Sequence, residues 1–282
     1  MTREFKAWDL RRRGGLDVLV WPAFDGLAVD TLITTRHGGV SPGPYQSLNL
    51  ALHVGDDSQD VLENRRRAAA ALRTDLGDMV FCHQAHGREV HIVTAADRGR
   101  GTASTATAIA ATDALVTTEP GVVLAVLVGD CVPVVLYDPA AHVLACVHAG
   151  WRGTVARVTE AAVDAMRDLG SRPEDIVAGI GPAVGPERYQ VGPEVAEAAR
   201  NCFQARAGEV IRPDGTGRWL FDLWNANRIL LREAGLREEN VHVAALPTGS
   251  AGGGLFFSDR DARPCGRFAA IARLRPRERF ST

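Results

Sequence analysis

Residues 121–151 read GVVLAVLVGDCVPVVLYDPAAHVLACVHAGW. Three apolar runs follow one another here: Val122–Val128, Val132–Tyr137 and Val143–His148. The gaps between them leave no room for a crossover helix, which directs them toward antiparallel or mixed pairing. Asp138-Pro139 opens the last connection with good turn chemistry, because proline presets φ. A turn centred between Pro139 and Ala140 pairs Val132 with Val147, Val134 with Ala145 and Leu136 with Val143 on one apolar face. It also sets Cys131 opposite His148 at the hairpin mouth, where facing Cβ atoms sit about 4.5–5.5 Å apart. A thiolate and an imidazole at that separation suit one shared metal ion or a catalytic dyad. An odd-length loop would break this register.

Outward from the hairpin, strand signals recur at Val18–Val20, Thr31–Thr34, Met79–Cys82, Val90–Val93, Ile176–Ile180, Val241–Ala245 and Phe268–Ala272. Helical periodicity marks Ser58–Leu72, Thr154–Leu169, Pro193–Phe203 and Leu223–Ala234, with Ser58 read as the N-cap of the first and Gly170 and Gly235 placed to end the second and fourth. Strands outnumber helices and often adjoin. The expected fold is therefore α/β of the α+β type, with mixed β-sheets flanked by helices. It forms a single domain over 1–282 with a core of about 18–275 and a frayed 1–15. Gly101–Thr112 and Gly249–Gly254 read as loose loops.

Composition narrows the function classes. The chain has 282 residues, 46% apolar and 23% charged, a globular balance far from disorder. A formal charge of −2 gives no electrostatic footprint for nucleic acid. The apolar run Gly121–Gly129 is too short to span a bilayer. Asp17 spoils any export signal after Arg11-Arg12-Arg13. Neither nucleic acid nor membrane is expected as a partner. Five scattered cysteines, odd in number and without a CxxC, point to a reducing cytoplasm. The single lysine, Lys6, falls in the expected fray, which removes lysine-based mechanisms.

A buried cysteine is more often a small hydrophobe, and a lone histidine more often makes a hydrogen bond than a metal bond. Cys131 and His148 rise above that because both sit where a strand gives way to glycine-rich loop. His86, in Gln84-Ala85-His86-Gly87, has the same setting and is the candidate third ligand, with His83 its nearest competitor. His91 alternates toward solvent, His142 lies beside the turn and reads as exposed, and Cys146 reads as core. One cysteine and two histidines with a free fourth position make a catalytic zinc pattern. Such a metal lowers the pKa of bound water to about 7 and holds the cysteine as thiolate.

The blocks Gln84-Ala85-His86-Gly87, Gly129-Asp130-Cys131-Val132-Pro133 and His148-Ala149-Gly150-Trp151-Arg152-Gly153 resemble the three signature blocks of the YfiH/YlmD family. That family is also called the laccase-domain or peptidoglycan-editing-factor family. Further matching blocks are Thr35–Ser41, Ser47–Leu50, Val54–Asp56, Asn64-Arg65, Gly179–Pro182, Phe256–Asp261 and Gly266-Arg267. The resemblance implies zinc held by His86, Cys131 and His148. It also implies phosphorolysis of adenosine, inosine, guanosine and methylthioadenosine, plus deamination of adenosine. The chain departs at Ala85, where valine is usual, and at Thr248-Gly249, where the family often carries Cys-Thr.

Phosphorolysis needs an anion site, which arginine's fork suits. Val61, Arg65, Ala68 and Leu72 share one helix face, so Arg65 sits on an apolar side while Arg66 and Arg67 turn outward. Such a cation needs a partner: phosphate, or a carboxylate in a structural salt bridge. Arg36 and Arg152 are the other phosphate candidates, Asn49 a candidate for ribose or base, and Trp151 either a stacking ring or a core cap. For deamination, the HxE and PCxxC signature of nucleobase deaminases is absent. Asp130, the carboxylate nearest a ligand although neighbours on a strand point apart, and Asp56 are the candidate acid/base helpers. A multicopper oxidase consumes about ten histidines, whereas this chain has eight and no HxH, leaving at most weak copper-dependent phenol oxidation. Two alternatives stay open. One is a cysteine hydrolase in peptidoglycan precursor editing, with Cys131 activated by His148. The other is a non-catalytic nucleotide-binding scaffold.

Overall fold

A computed structural model describes residues 7–277. Strands β1 (Asp9–Arg13) and β2 (Leu16–Val20) form a hairpin closed by Gly14-Gly15, at φ +54° and +84°. Two consecutive residues at positive φ give the turn twist that hairpins favour. Residues 9–13 are thus an edge strand, correcting the expected fray, and Arg11 anchors the hairpin with two bonds to Asp25 (2.7 and 2.6 Å). Residues 1–6 lie outside the described residues.

Strand β3 (Val29–Thr34), helix α1 (Ser58–Ala71), β4 (Met79–Phe81) and β5 (Val90–Val93) follow. Strands β6 (Ala114–Thr117), β7 (Val123–Val128), β8 (Val132–Asp138) and β9 (Val143–Ala149) come in close succession. Helices α2 (Trp151–Val155) and α3 (Val158–Asp168) lead to β10 (Val177–Ile180), β11 (Gln190–Val191) and α4 (Pro193–Phe203). The chain closes with β12 (Ile211–Pro213), β13 (Trp219–Phe221), α5 (Leu223–Glu233), β14 (Val241–Val243) and β15 (Phe268–Leu274).

The strands make two six-stranded sheets, β1-β2-β3-β15-β7-β4 and β14-β10-β8-β9-β6-β5, and a small sheet β11-β13-β12. Both large sheets are mixed: β4 joins β7, β5 joins β6 and β14 joins β10 in parallel, and the remaining pairs are antiparallel. The inner faces meet in one apolar layer that includes Ile33, Val126 and Phe268 from the first sheet and Val135, Leu144 and Cys146 from the second. The outer face of the second sheet is covered by α3, α4 and α5, through Val163, Ala199 and Leu230 among others. The outer face of the first is covered by α1 through Ala68 and Ala69. The result is helix, sheet, sheet and helices in four layers, the mixed α/β arrangement read from the strand order.

Four local expectations need correcting. The β8–β9 register runs Val132 with Ala149, Val134 with Val147 and Asp138 with Val143, two residues from the expected pairing. The connection is four residues long because the Asp138 carboxylate accepts from Ala140 N and Ala141 N, and His142 turns back at φ +60°. The shift is even, so the same residues stay on the same faces. His148 now pairs with Pro133, and Cys131 lies diagonal to it. His142 is buried, not exposed, bonded to the Tyr137 hydroxyl (3.0 Å) and the Arg275 carbonyl (3.1 Å). The expected helix 154–169 is two helices, because Arg157 adopts the left-handed conformation (φ +65°) and pairs with Glu160 and Glu233. Finally, Asp57 rather than Ser58 caps α1, accepting from Gln59 N at 2.7 Å.

Candidate functional site

Three segments converge where the two sheets open at one end. Gln84 replaces a strand neighbour: its side-chain amide donates to Leu127 O (2.7 Å) and accepts from Leu127 N (2.8 Å). That pins the loop carrying His86. The β7–β8 connection brings Asp130 and Cys131, with Asp130 at φ +105°, a conformation L-residues rarely adopt. The end of β9 brings His148. The ligand atoms of His86, Cys131 and His148 all lie within 4.8 Å of one another, so the structure brings the three residues singled out in the sequence together. They grade outward: His148 is buried, Cys131 half-buried and His86 exposed.

Asp113, which sequence reasoning missed, organizes the group. Its buried carboxylate accepts from His148 Nδ1 (2.8 Å) and from the backbone N–H groups of Ala85 (3.2 Å), His86 (3.0 Å) and Gly87 (2.7 Å). One side chain therefore fixes both histidines. With Nδ1 bonded to a carboxylate, Nε2 is the atom left for a ligand, the arrangement common behind metal-bound histidines. Burial works against charge on Cys131, but the positive His148 beside it and hydrogen bonds from His148 and His86 outweigh burial and draw the thiol down. Burial likewise opposes charge on His148, and the Cys131 charge and the bond to Asp113 raise it. Thiolate and protonated ring thus stabilize each other, and a cation can take the proton's place.

The donor set fits zinc or copper, with one sulfur and two imidazoles. Space is kept for it. A Cβ on Gly150 would come within 2.9 Å of Cys131 Sγ and 3.1 Å of His86 Cδ2. Glycine there leaves the cradle open. Among the described residues this is the one cluster of His, Cys, Asp and Glu arranged to hold a metal.

The group borders a cavity of ≈ 940 Å³, a volume in the range of small-molecule sites. Of the candidate substrate residues, Arg65 lines it and the others do not. Arg65 is buried among carbonyls: Nε donates to Leu50 O (2.8 Å), and NH1 donates to Gly101 O (2.6 Å) and Thr102 O (2.7 Å). Its guanidinium carbon lies 4.0 Å from the Phe81 ring centroid. Among the described residues no carboxylate pairs with it, and burial pulls it down to about 9. These bonds also tie the segment expected to be loose, Gly101–Thr112, onto α1.

Arg36 instead braces its own loop, bonding Gln46 O (2.9 Å) and lying over Phe257 (4.6 Å). Asn49 is fully buried and committed to Ala51, Asp56 and Arg267. Arg152 is exposed on α2, 4.3 Å over Trp151, and Trp151 itself packs on the helix-side core. Asp56 is held by Ser41 and Asn49, away from the cavity. Asp130 does line it, with burial pushing its carboxyl up. Thr248, where the resemblance expects cysteine, bonds Asp130 at 2.5 Å. His53, His83, Tyr189, Arg260 and Arg267 belong to the polar lining, together with the carboxylates of Asp259 and Asp261. Arg260 and Arg267 lie in blocks that resemble the family, and His53 and Tyr189 carried no such signal.

The chain is similar to known proteins over most of its length. Residues 30–275 match the family described as multi-copper polyphenol oxidoreductase laccase. The chain is 40% identical over 252 residues to purine nucleoside phosphorylase YlmD of Geobacillus stearothermophilus, covering 89% of this chain and 91% of that protein. It is 37% identical over 213 residues to adenosine deaminase RL5 from an unknown prokaryotic organism, covering 76% and 81%. The crystal structure of YlmD from Geobacillus stearothermophilus superposes with a TM-score of 0.90 at 37% identity, covering 96% of this chain and all of that one.

Proposed function

The chain belongs to the laccase-domain family of YlmD and YfiH, and from that premise we propose that it is a zinc-dependent purine nucleoside phosphorylase. Its substrates are adenosine, inosine, guanosine and methylthioadenosine with phosphate, and adenosine deamination is an accessory activity. The reducing cytoplasm is its compartment, in keeping with five free cysteines. The observation that carries the reading is one cavity bordered both by the His86–Cys131–His148 group and by a buried arginine that, among the described residues, has no carboxylate partner. One metal cluster among the described residues fits this chemistry better than a multicopper oxidase, which needs several copper sites.

His86, Cys131 and His148 would hold the zinc, which would supply Lewis acidity at the cavity wall. Asp113 keeps His148 oriented and its Nδ1 protonated. Arg65 binds the phosphate. Its three carbonyl contacts fix the guanidinium without neutralizing it, so an anion gains a charge-assisted bond in a site already dehydrated. Arg267, His53 and His83 line the same cavity and add positive or donor character there.

His86→Ala and Cys131→Ala abolish both zinc content and nucleoside turnover, read by metal quantification of the purified protein. Normal phosphorolysis by either variant removes the assignment. Product analysis with adenosine separates the reactions: adenine and ribose 1-phosphate appear with phosphate, inosine without it. Arg65→Gln raises the KM for phosphate about tenfold or more, and the KM for nucleoside less. The reverse order would make Arg65 purely structural.

A second reading has one observation in its favour. Asp113, His148 and Cys131 are also the order of a cysteine hydrolase triad, which suits peptidoglycan precursor editing. Amidase activity that survives complete zinc removal would select it.

A further inference from the structure

Tyr189 lies on the cavity wall with the metal cluster and Asp130. Its position is fixed from several directions. Its backbone N donates to Gly185 O (3.0 Å), and its carbonyl accepts from Phe221 N (3.1 Å). Its ring is stacked with Phe221, centroids 6.2 Å apart and planes 19° apart. The Arg260 guanidinium carbon lies 5.1 Å from the ring centroid. Arg260 is itself held, its backbone N donating to Asp130 Oδ2 (2.8 Å) and its guanidinium to Gln190 O (2.7 Å). The one part of Tyr189 without a partner among the described residues is its hydroxyl. The contrast is internal: the hydroxyls of Tyr45 and Tyr137 bond Val54 O (2.6 Å) and His142 Nδ1 (3.0 Å).

Tyr189 is half-buried, and its hydroxyl keeps access to the cavity. The ring is immobilized on one side by Phe221 and Arg260 while the hydroxyl is uncommitted within the protein, which leaves it available to a molecule in the cavity. A phenol near its ordinary pKa of about 10 is protonated at neutral pH, and burial pushes this one higher. The hydroxyl is therefore a donor.

We propose that the Tyr189 hydroxyl donates a hydrogen bond to a purine ring nitrogen, making it a specificity-determining residue. This rests on the nucleoside reading above. The chemistry explains breadth and selectivity together. N3 and N7 are acceptors in adenine, hypoxanthine and guanine alike, whereas the substituent at position 6 changes. A donor aimed at a ring nitrogen accepts all three bases. The same bond stabilizes a departing purine, because the electron pair left on N9 spreads onto the other ring nitrogens.

The test compares the zinc-loaded protein with Tyr189→Phe by calorimetric binding of inosine and guanosine without phosphate. Neither ligand carries the 6-amino group that deamination needs. Zinc content and melting temperature stay at the parent values, since the lost oxygen has no protein partner. Affinities for both ligands fall by the same factor, roughly five- to tenfold. For the unmodified protein, either 3-deazaguanosine or 7-deazaguanosine shows the same loss, and Tyr189→Phe then weakens that analogue no further. Unchanged affinities in Tyr189→Phe overturn this inference alone. So does a variant that weakens both deaza analogues as much as guanosine. Failure of the unmodified protein to bind any nucleoside overturns the inference and the functional reading together.

Discussion

Asp113 holds two ligand-bearing segments that are distant in the chain, and its isosteric amide is the sharpest probe of that role. An amide has one acceptor oxygen where four donors converge. Asp113→Asn should weaken zinc binding about 10- to 100-fold, measured by competition with a chromogenic chelator, while the hairpin ligands Cys131 and His148 remain in place. His86 depends on it most, since the loop holds His86 at φ +59° with its N–H on the carboxylate. Asp113 was not legible in the sequence because its partners are 26 to 35 residues away and no short motif marks it. Cys131, His148 and His86 were legible because strand ends beside glycine are local features. Asn49 and Arg36 show the opposite failure. Both lie in recognizable blocks, yet their hydrogen bonds are turned inward, and only packing reveals that.

At the scale of elements, the strands most readily read were those with unbroken apolar runs, such as β7, β8 and β9. Turn chemistry was harder. Pro139 suggested a two-residue connection, but the side chain of Asp138 competed for the backbone and lengthened it to four. The β1–β2 hairpin was overlooked although Gly14-Gly15 is a strong hairpin signal, because three arginines disguised β1 as a tail. That turn is also a packing point: a Cβ on Gly14 would meet the Ala71 backbone at 2.8 Å, and φ is +54°. Gly14→Ala should cost roughly 2 kcal/mol, read by denaturant unfolding, with nucleoside turnover unchanged. Short strands such as β11, β12 and β13 have too few residues for a period to register.

At the scale of the whole molecule, the phosphate role proposed for Arg65 would couple ligand binding to stability. A ligand that binds only the folded state at 100 times its Kd adds about 2.7 kcal/mol. Inorganic phosphate at saturating concentration should therefore raise the melting temperature of the parent protein and leave Arg65→Gln nearly unmoved. Equal shifts in both would place the anion elsewhere.

The ligand-bearing segments are set by β9, by the Gln84–Leu127 pairing and by Asp113, none of which involves an ion. Chelation should accordingly abolish turnover yet leave the circular dichroism spectrum intact, unlike small domains that unravel without their metal. Loss and recovery of activity then become a matter of exchange at a standing scaffold, with the solvent-facing imidazole of His86 as the last tooth of the clasp.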